Sequence, residues 1–217
     1  MNTNMKKIII FDMDGVLFDS IPFAEEFYLK SHPGMTREMY KEMHGGNFHE
    51  EAKKYSQFKT EETEEEKNKR HIIYAKKKST TPMFEGIKEF LEDLYDSGYI
   101  LILNTNAFNR NCLPLIEGSG INKFFDFIAT AELSTSKVEK FKLIEEKYSA
   151  NKEEILFITD SLGDIKEADI AGILTIAITW GVHDKIFFER ENHSNLIAII
   201  NTVSELSDFI KNYKFHA

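Results

Sequence analysis

The fold is decided by the stretch Ile8-Ile-Ile-Phe-Asp-Met-Asp-Gly-Val16 near the start of the chain. Its leading apolar residues predict a strand that is covered on both faces, because strands exposed on one face alternate apolar and polar residues. Two carboxylic acids, Asp12 and Asp14, follow directly, and Gly15 allows the backbone to turn sharply after them. Buried carboxylates are costly unless a cation or hydrogen bonds compensate. The stretch therefore predicts an acidic site at the end of a buried strand.

Short continuous apolar runs recur along the chain and predict further buried strands. After the first run, Lys7–Phe11, they lie at Tyr99–Leu103, Phe125–Ala129, Ile155–Ile158 and Leu174–Ile178. Helical patterns accompany them at Glu85–Ser97, Val138–Tyr148 and Asp164–Ala171, and a closing helix is expected at Val203–Phe209. Strands that alternate with helices indicate an α/β domain. We therefore expect a Rossmann-like α/β fold with a mainly parallel sheet.

One long segment, residues 21–81, interrupts this alternation directly after the first strand. It has helical patterns and no good strand, and its second half is rich in glutamate and lysine. The acidic run Glu61–Glu66 is followed by Lys67, Lys69 and Arg70, a spacing that favours ion pairs on a solvated helix. We expect a core domain made of residues 1–20 and 82–217, with residues 21–81 as a small helical insert over the sheet.

Composition and charge limit the partners and the compartment. The 217 residues include 27 Lys and Arg and 36 Asp and Glu, and the formal net charge of −9 disfavours general binding to nucleic acid or anionic membranes. The first apolar run stops at Asp12, short of the roughly 7–15 residues of a signal-peptide core, and no run approaches the roughly 20 of a membrane span. The single cysteine, Cys112, excludes an intramolecular disulfide and is expected to be a buried or partly buried free thiol. We expect a cytoplasmic monomer or homodimer.

Polar residues follow several of the predicted strands, and in a parallel sheet ligands bind where the strands reach their carboxyl ends. Thr105 and Asn106 follow the second strand, where a hydroxyl and an amide can donate hydrogen bonds to phosphate oxygens. Lys137 begins a helical pattern and can neutralise phosphate charge as a point cation. Lys140 and Lys142 compete with it for that role.

Four acids stand at two of these strand ends. Asp12 and Asp14 follow the first strand, and Asp160 and Asp164 follow the strand that begins at Ile155. Carboxylate oxygens are ligands for a hard cation such as Mg²⁺, so we expect Asp12, Asp14 and Asp160 at a metal site. One carboxylate of the first pair can act as a nucleophile and the other as an acid and then a base. Asp164 is expected either to cap the following helix or to hold a metal-bound water.

Taken in order, these residues resemble the four motifs of the haloacid dehalogenase (HAD) superfamily hydrolases, in particular the phosphoglycolate-phosphatase-like group with a type 1 helical cap. The matching residues are Asp12-x-Asp14-Gly15-Val16 with Phe18-Asp19-Ser20, then Thr105, Lys137 and Asp160-x-x-x-Asp164. Two positions depart from the pattern. Val138 follows the motif lysine where many relatives have proline, and Thr159 precedes the fourth motif where relatives often have glycine. Lys137 fits better than Lys140 by its spacing from the fourth motif.

The resemblance also implies a chemistry. Asp12 would form an aspartyl-phosphate, and Asp14 would protonate the leaving group and then activate water to release phosphate. Thr105 and Lys137 would hold the transferring phosphoryl group, with Asn106 beside them as a further substrate contact. Mg²⁺ would be bound by oxygen ligands from the first and fourth motifs: Asp12, Asp160 and the main-chain carbonyl of Asp14, with Asp164 in support.

The segment at residues 21–81 resembles the family's helical cap, which would close over the site and exclude bulk water. The stretch His44-Gly-Gly-Asn47 lies between two helical patterns and resembles the cap loop that reaches toward the substrate. His44 and Asn47 would then contact the leaving group. A plain helix-to-helix turn is the alternative. The substrate implied is a small phosphorylated metabolite.

Three other functions are weighed against hydrolysis. A phosphomutase keeps the same nucleophile, but mutase relatives tend to carry a Ser-Lys-Asn run after the second motif, where this chain has Ala107-Phe108-Asn109. A dehalogenase usually lacks the second acid of the first motif, which here is Asp14. A non-catalytic binding protein on this scaffold would tend to lose Asp12 or Lys137, and both are present. The prediction is therefore a Mg²⁺-dependent phosphatase that acts on a small phosphate monoester through Asp12.

Overall fold

Six parallel strands form one sheet in the computed structural model of the chain, which describes residues 6–215. The strands are β1 (Ile8–Phe11), β2 (Ile100–Asn104), β3 (Phe127–Ala129), β4 (Ile155–Thr159), β5 (Leu174–Ile178) and β6 (Leu196–Ile200). Their order across the sheet is β3-β2-β1-β4-β5-β6. Strand β1 is central and pairs with both β2 and β4, so the switch in strand order lies at its carboxyl end. The predicted α/β fold with a parallel sheet is confirmed.

Helices cover the sheet and fill the long interval between β1 and β2. In chain order they are α1 (Ile21–Ser31), α2 (Arg37–Met43), α3 (Phe48–Lys54), α4 (Glu64–Lys78), α5 (Ile87–Asp96), α6 (Asn109–Ser119), α7 (Lys137–Tyr148), α8 (Leu162–Ala171), α9 (Lys185–Phe188) and α10 (Val203–Asn212). The helices predicted from periodicity correspond to α5, α7, α8 and α10. None of the helices within residues 6–215 combines the length and the apolar character needed to cross a membrane.

The core explains why the first strand reads as a continuous apolar run. All four residues of β1 are fully buried, and successive side chains point to opposite faces of the sheet. Ile10 joins a buried cluster with Phe141 of α7, whereas Phe11 joins the cluster on the other face with Phe90 of α5. Both faces of the strand are therefore covered by helices. Cys112 is buried in the second of these clusters as a free thiol, as predicted.

Three elements, α6, α9 and β6, were not predicted from the sequence. Helix α6 contains Pro114, a residue that disfavours helix interiors, yet its buried face places Cys112, Leu115 and Ile116 in the core. Strand β6 adds to the sheet beside β5 and is only partly buried. Strand β3 is also shorter than predicted and begins at Phe127.

Between β1 and α5, residues 21–81 contain the four helices α1 to α4, which lie at the carboxyl end of the sheet. Helix α4 begins with a capping box between Thr63 and Glu66, which satisfies N–H groups of its first turn. The chain enters and leaves this segment side by side, because the N–H of Asp19 donates to the carbonyl of Pro82 at 3.0 Å. The division into a core of 1–20 and 82–217 and a cap of 21–81 stays a prediction. Residues 1–5 and 216–217 of that core lie outside the described residues.

Candidate active site

A cavity of about 170 Å³ lies between the carboxyl ends of the central strands and the helices of the 21–81 segment. It brings together most of the residues singled out from the sequence: Asp12, Asp14, His44, Thr105, Asn106, Lys137, Asp160 and Asp164. The segment also contributes a largely aromatic wall, with Tyr40, Phe48 and Tyr74, and one ammonium group, that of Lys78. None of these four residues was predicted. The cavity therefore lies where it was expected, at the carboxyl ends of the parallel strands.

The centre of the site is the contact between Asp12 and Lys137. Asp12 directly follows β1, and Lys137 is the first residue of α7, which is capped by Ser136. The Lys137 Nζ atom lies 2.6 Å from Asp12 Oδ1 and 2.5 Å from Asp164 Oδ2. Burial raises the pKa of Asp12 to about 6 even though the Lys137 ammonium opposes the change. Burial disfavours the ammonium, but the carboxylates of Asp12 and Asp164 outweigh it and raise the pKa of Lys137.

Lys140 occupies a different place. Its Nζ donates to the carbonyl of Thr105 and to Oδ1 of Asn106, each at 2.8 Å. Burial lowers the pKa of Lys140 to about 7, and the nearby charge of Lys137 acts in the same direction. Of the three candidate lysines, Lys137 therefore contacts the carboxylates, Lys140 ties together the loop that follows β2, and Lys142 is exposed.

The loop after β2 presents a hydroxyl to the cavity. The N–H of Thr105 donates to Ala129 at 2.9 Å, and its Oγ1 accepts from the N–H of Ala107 at 3.1 Å. Because that oxygen is already an acceptor, its hydroxyl proton remains available to a ligand oxygen. Asn104, one residue earlier, is fully buried, and within residues 6–215 neither polar atom of its side chain has a hydrogen-bond partner.

Asp160 is held close to the backbone of two glycines. It follows β4, and its Oδ2 accepts from the N–H of Val182 at 2.7 Å. A Cβ atom on Gly15 or Gly181 would clash with its carboxylate, and Gly15 has a φ of +73°. Glycine at these two positions is therefore what lets the turn after β1 and the turn after β5 close around the acid.

The charges fit a divalent cation. Burial and the charge of Asp12 raise the pKa of Asp160 well above its usual range. Four carboxylates line the cavity against two ammonium groups, Lys78 and Lys137. In the described part of the chain, no three His, Cys, Asp or Glu side chains form a ready metal cluster. Mg²⁺ commonly uses only one or two carboxylates and keeps several waters. The carboxylates of Asp12 and Asp160 with the main-chain carbonyl of Asp14 match its preference for oxygen ligands.

Asp14 is engaged at both carboxylate oxygens. The hydroxyl of Ser20 donates to Oδ1, and Lys78 Nζ donates to Oδ2 at 2.6 Å. Lys78 ends α4 and is only 2% exposed. Sequence reasoning missed it because Lys76–Lys78 closes a Glu- and Lys-rich helix that was expected to be solvated. The one available signal was Tyr74, an aromatic residue one helical turn earlier on the same face.

Of the two roles left open for Asp164, capping of the following helix does not occur. Ser161 is the N-cap of α8, and its hydroxyl accepts from the N–H of Asp164 at 3.2 Å. The Asp164 carboxylate instead accepts from Lys137 and from the hydroxyl of Thr159 at 2.7 Å. Thr159, which stands where relatives often have glycine, thus supports an acidic residue of the site.

Of the two residues expected to contact the leaving group, His44 faces the cavity and Asn47 does not. His44 lines the cavity, its Nδ1 lies 3.0 Å from the Tyr40 carbonyl, and burial lowers its pKa. Asn47 does not line the cavity, which corrects its predicted contact with the leaving group. Its Oδ1 caps α3, and its Nδ2 donates to the Thr135 carbonyl at 2.8 Å and to the carboxylate of Glu167. The amide is therefore committed to joining the segment to the core.

Known proteins resemble the chain along nearly its whole length. The family model of haloacid dehalogenase-like hydrolases matches residues 9–178, a range that includes every predicted site residue. A phosphoglycolate phosphatase of Vibrio parahaemolyticus is 25% identical over 221 residues, which cover 94% of this chain and 96% of that protein. A phosphoglycolate phosphatase of Mannheimia succiniciproducens is 28% identical over 209 residues, covering 83% of this chain and 88% of that protein.

Solved structures resemble it as well. A crystal structure described as a predicted phosphoglycolate phosphatase from Haemophilus somnus aligns with a TM-score of 0.74 and 23% identity. The alignment covers 97% of this chain and 99% of that one. At this level of identity the likeness shows a common fold, which includes the helices of residues 21–78.

Proposed function

The chain belongs to the haloacid dehalogenase-like hydrolase family, and from that premise we propose that it is a phosphatase that hydrolyses a small phosphate monoester through Asp12. The observation that carries the proposal is the buried Asp12 carboxylate at the end of the central strand, with the Lys137 ammonium 2.6 Å away. Relatives named phosphoglycolate phosphatase support this reaction class. The cavity of about 170 Å³ favours a small phosphorylated metabolite.

The first step is attack of the Asp12 carboxylate on phosphorus, which forms an aspartyl-phosphate as the bond to the leaving oxygen breaks. An anionic nucleophile must approach an anionic phosphoryl group, so catalysis depends on positioning and charge neutralisation. Lys137 lies between Asp12 and Asp164 and can contact a transferring phosphoryl oxygen. The Thr105 hydroxyl, on the loop held by Lys140, can donate a second hydrogen bond.

Asp14 is proposed as the group that transfers protons. It would give a proton to the leaving oxygen in the first step. It would then accept a proton from the water that attacks the phosphorus of the aspartyl-phosphate, which restores the Asp12 carboxylate and releases phosphate. Its position two residues after the nucleophile, on the same tight turn, supports this role.

Mg²⁺ is the proposed cofactor. Asp12, Asp160 and the main-chain carbonyl of Asp14 would hold it, with Asp164 in support. When bound, the ion would supply positive charge that offsets the acids and the phosphoryl group. The buried carboxylates of the cavity outnumber its ammonium groups, and this excess of negative charge around Asp160 supports the assignment.

Residues 21–81 are proposed as a cap over the site. The loop between α2 and α3 docks on the amino end of α8, where the N–H of Gly163 donates to the carbonyl of His44 at 2.8 Å. Such a cap would keep bulk water from the aspartyl-phosphate. His44 remains proposed as a contact for the leaving group, and Asn106 as a contact for the phosphoryl group.

The test is release of inorganic phosphate from an aryl phosphate and from 2-phosphoglycolate, with Mg²⁺ and after chelation by EDTA. The wild type is compared with Asp12→Asn and with Asp126→Asn, which makes the same chemical change at an exposed position away from the cavity. We expect activity that requires Mg²⁺, is lost in Asp12→Asn and is normal in Asp126→Asn. Normal turnover in Asp12→Asn would overturn the proposal. Transfer of phosphate to a second hydroxyl, without release, would indicate the mutase alternative.

A further inference from the structure

Lys78 is a buried ammonium that the proposed reaction does not use. It reaches the cavity from the end of α4, and its side chain is 3% exposed. Lys137 is already bound to Asp12 and Asp164, and Lys140 to the loop after β2. Lys78 is therefore the cation that the 21–81 segment brings to the site.

Its present partner is Asp14, whose Oδ2 it contacts at 2.6 Å while Ser20 donates to Oδ1. With a protein donor on each oxygen, Asp14 is not directed at a leaving group. The contact with Lys78 has to loosen before Oδ2 can turn toward one. A buried ammonium leaves a carboxylate readily only for another anion, because a neutral group does not replace a charge-assisted hydrogen bond.

The surroundings of Lys78 suit a small anionic group. Tyr40 and Tyr74 line the same cavity, and Lys78 Nζ lies 5.9 Å from the centre of the Tyr74 ring. Within residues 6–215, the hydroxyl groups of these two tyrosines make no hydrogen bond to the protein. An anion beside Lys78 would therefore find an ammonium and phenolic donors in one place.

We propose that Lys78 recognises a second anionic group on the substrate, a carboxylate or a second phosphoryl group on the leaving portion, which takes the place of Asp14 Oδ2. This inference rests on the proposed phosphatase function and adds its substrate class. The anionic group would bind Lys78 at the same time as it releases Asp14 to face the leaving oxygen. A phosphate ester whose leaving portion is uncharged would lack both effects.

The experiment compares matched esters. The first pair is 2-phosphoglycolate and its neutral amide, which differ in charge and little in shape. The second pair is propane-1,3-diol bisphosphate and 3-hydroxypropyl phosphate, which tests a phosphoryl group in place of the carboxylate. For each ester, kcat/KM is measured in the wild type, in Lys78→Met, in Lys78→Arg and in Lys76→Met, an exposed lysine of the same helix. The readout is the charged-to-neutral ratio within a pair.

We expect the wild type to prefer one charged ester by about tenfold to a hundredfold, as a charge-assisted hydrogen bond implies. In Lys78→Met the ratio should fall toward one, whereas Lys78→Arg and Lys76→Met should keep the preference. If Lys78 only positioned Asp14, Lys78→Met would change kcat/KM for both esters of a pair alike and leave the ratio unchanged. The pair that shows the preference identifies the anionic group.

An unchanged ratio in Lys78→Met, or no charged preference in the wild type, would overturn this inference and leave the phosphatase proposal intact. Failure of the wild type to release phosphate from any of the four esters would count against the phosphatase proposal instead. In that case, calorimetry measures binding of the same esters to Asp12→Asn, with and without Lys78→Met. Tighter binding of a charged ester than of its neutral partner, lost on Lys78→Met, would support recognition without turnover. Equal binding of the two esters, or no binding, would overturn the role of Lys78.

Discussion

The side-chain amide of Asn47 lies 3.2 Å from the carboxylate of Glu167, and that carboxylate also accepts a 2.9 Å hydrogen bond from the N–H of Lys137. Asn47 belongs to the loop between α2 and α3, and Glu167 is buried on α8. One carboxylate therefore joins the 21–81 segment to the first turn of α7. The backbone of Lys137 is fixed at the same point where that segment docks.

Removal of this carboxylate should impair catalysis more than folding. Glu167→Ala is expected to lower kcat by about tenfold, because the first turn of α7 loses the acceptor that orients Lys137. Glu167→Gln keeps an acceptor oxygen and should recover most of the activity. The measurement is kcat and KM beside the far-UV spectrum. A loss that appears in KM alone, or equal losses in both variants, would contradict a positioning role.

The contribution of Asn47 can be separated from its helix cap. Asn47→Ser keeps a good N-cap for α3 and removes the amide that reaches Glu167. We expect lower kcat/KM in Asn47→Ser and a smaller further loss when Glu167→Ala is added, since contacting residues typically couple by about 0.5–3 kcal/mol. Additive losses would show that the two residues act separately.

His183 predicts an acid-sensitive contribution to stability. Its Nδ1 accepts from the N–H of Leu162 at 2.9 Å, and its Nε2 lies 3.0 Å from the carbonyl of Lys41, so the buried ring is the neutral Nε2–H form. Burial lowers the pKa of His183 from 6.5 to about 4, and the charges of His44 and Arg190 act in the same direction. The unfolded chain then takes up the proton at higher pH than the folded protein. The stabilisation is present above about pH 6.5 and is lost as the pH falls toward 4.

Urea unfolding at pH 7 and pH 5 measures this effect. Between these two values the wild type should lose about 2 kcal/mol more unfolding free energy than His183→Asn, whose side-chain oxygen can still accept from Leu162. Comparison of the two proteins cancels the contributions of the other titrating groups. An equal loss in both would mean that His183 is not the source.

Asn104 should be replaceable with a gain in stability. Its amide is buried without a partner among the described residues, and such a group typically costs about 1–3 kcal/mol. Asn104→Leu, which has a similar volume, is expected to raise the free energy of unfolding in urea by about 1 kcal/mol or more. Asn192→Leu, at an exposed position, is the control and should change it little. A destabilised Asn104→Leu protein would contradict this account.

Residues at strand ends were predictable from the sequence, and residues that depend on helix packing were not. Asp12, Thr105 and Asp160 each follow an apolar run, and parallel strands carry such residues to one edge of the sheet. Lys78 and Glu167 meet the site only because particular helix faces pack together. In the sequence, only a position one helical turn after Tyr74 distinguishes Lys78 from the two exposed lysines before it.

The wrong expectations have the same origin. Asp164 and Ser161 are both good N-cap residues, and the choice between them depends on where α8 begins. Asn47 was placed in the right loop, but that loop turns its amide toward Glu167 rather than toward the cavity. Both outcomes are set by tertiary contacts that a local pattern does not contain.

Capture of the phosphorylated residue tests directly whether Asp12 is the nucleophile. Asp14→Asn is mixed with acetyl phosphate, whose leaving group needs no acid, so the first step can proceed while water activation is impaired. Acid quench and borohydride reduction convert an aspartyl-phosphate to homoserine, which peptide mass spectrometry locates. We expect homoserine at position 12, and none when Asp12→Asn is added. Phosphate release without label at position 12, or label at another residue, would contradict it.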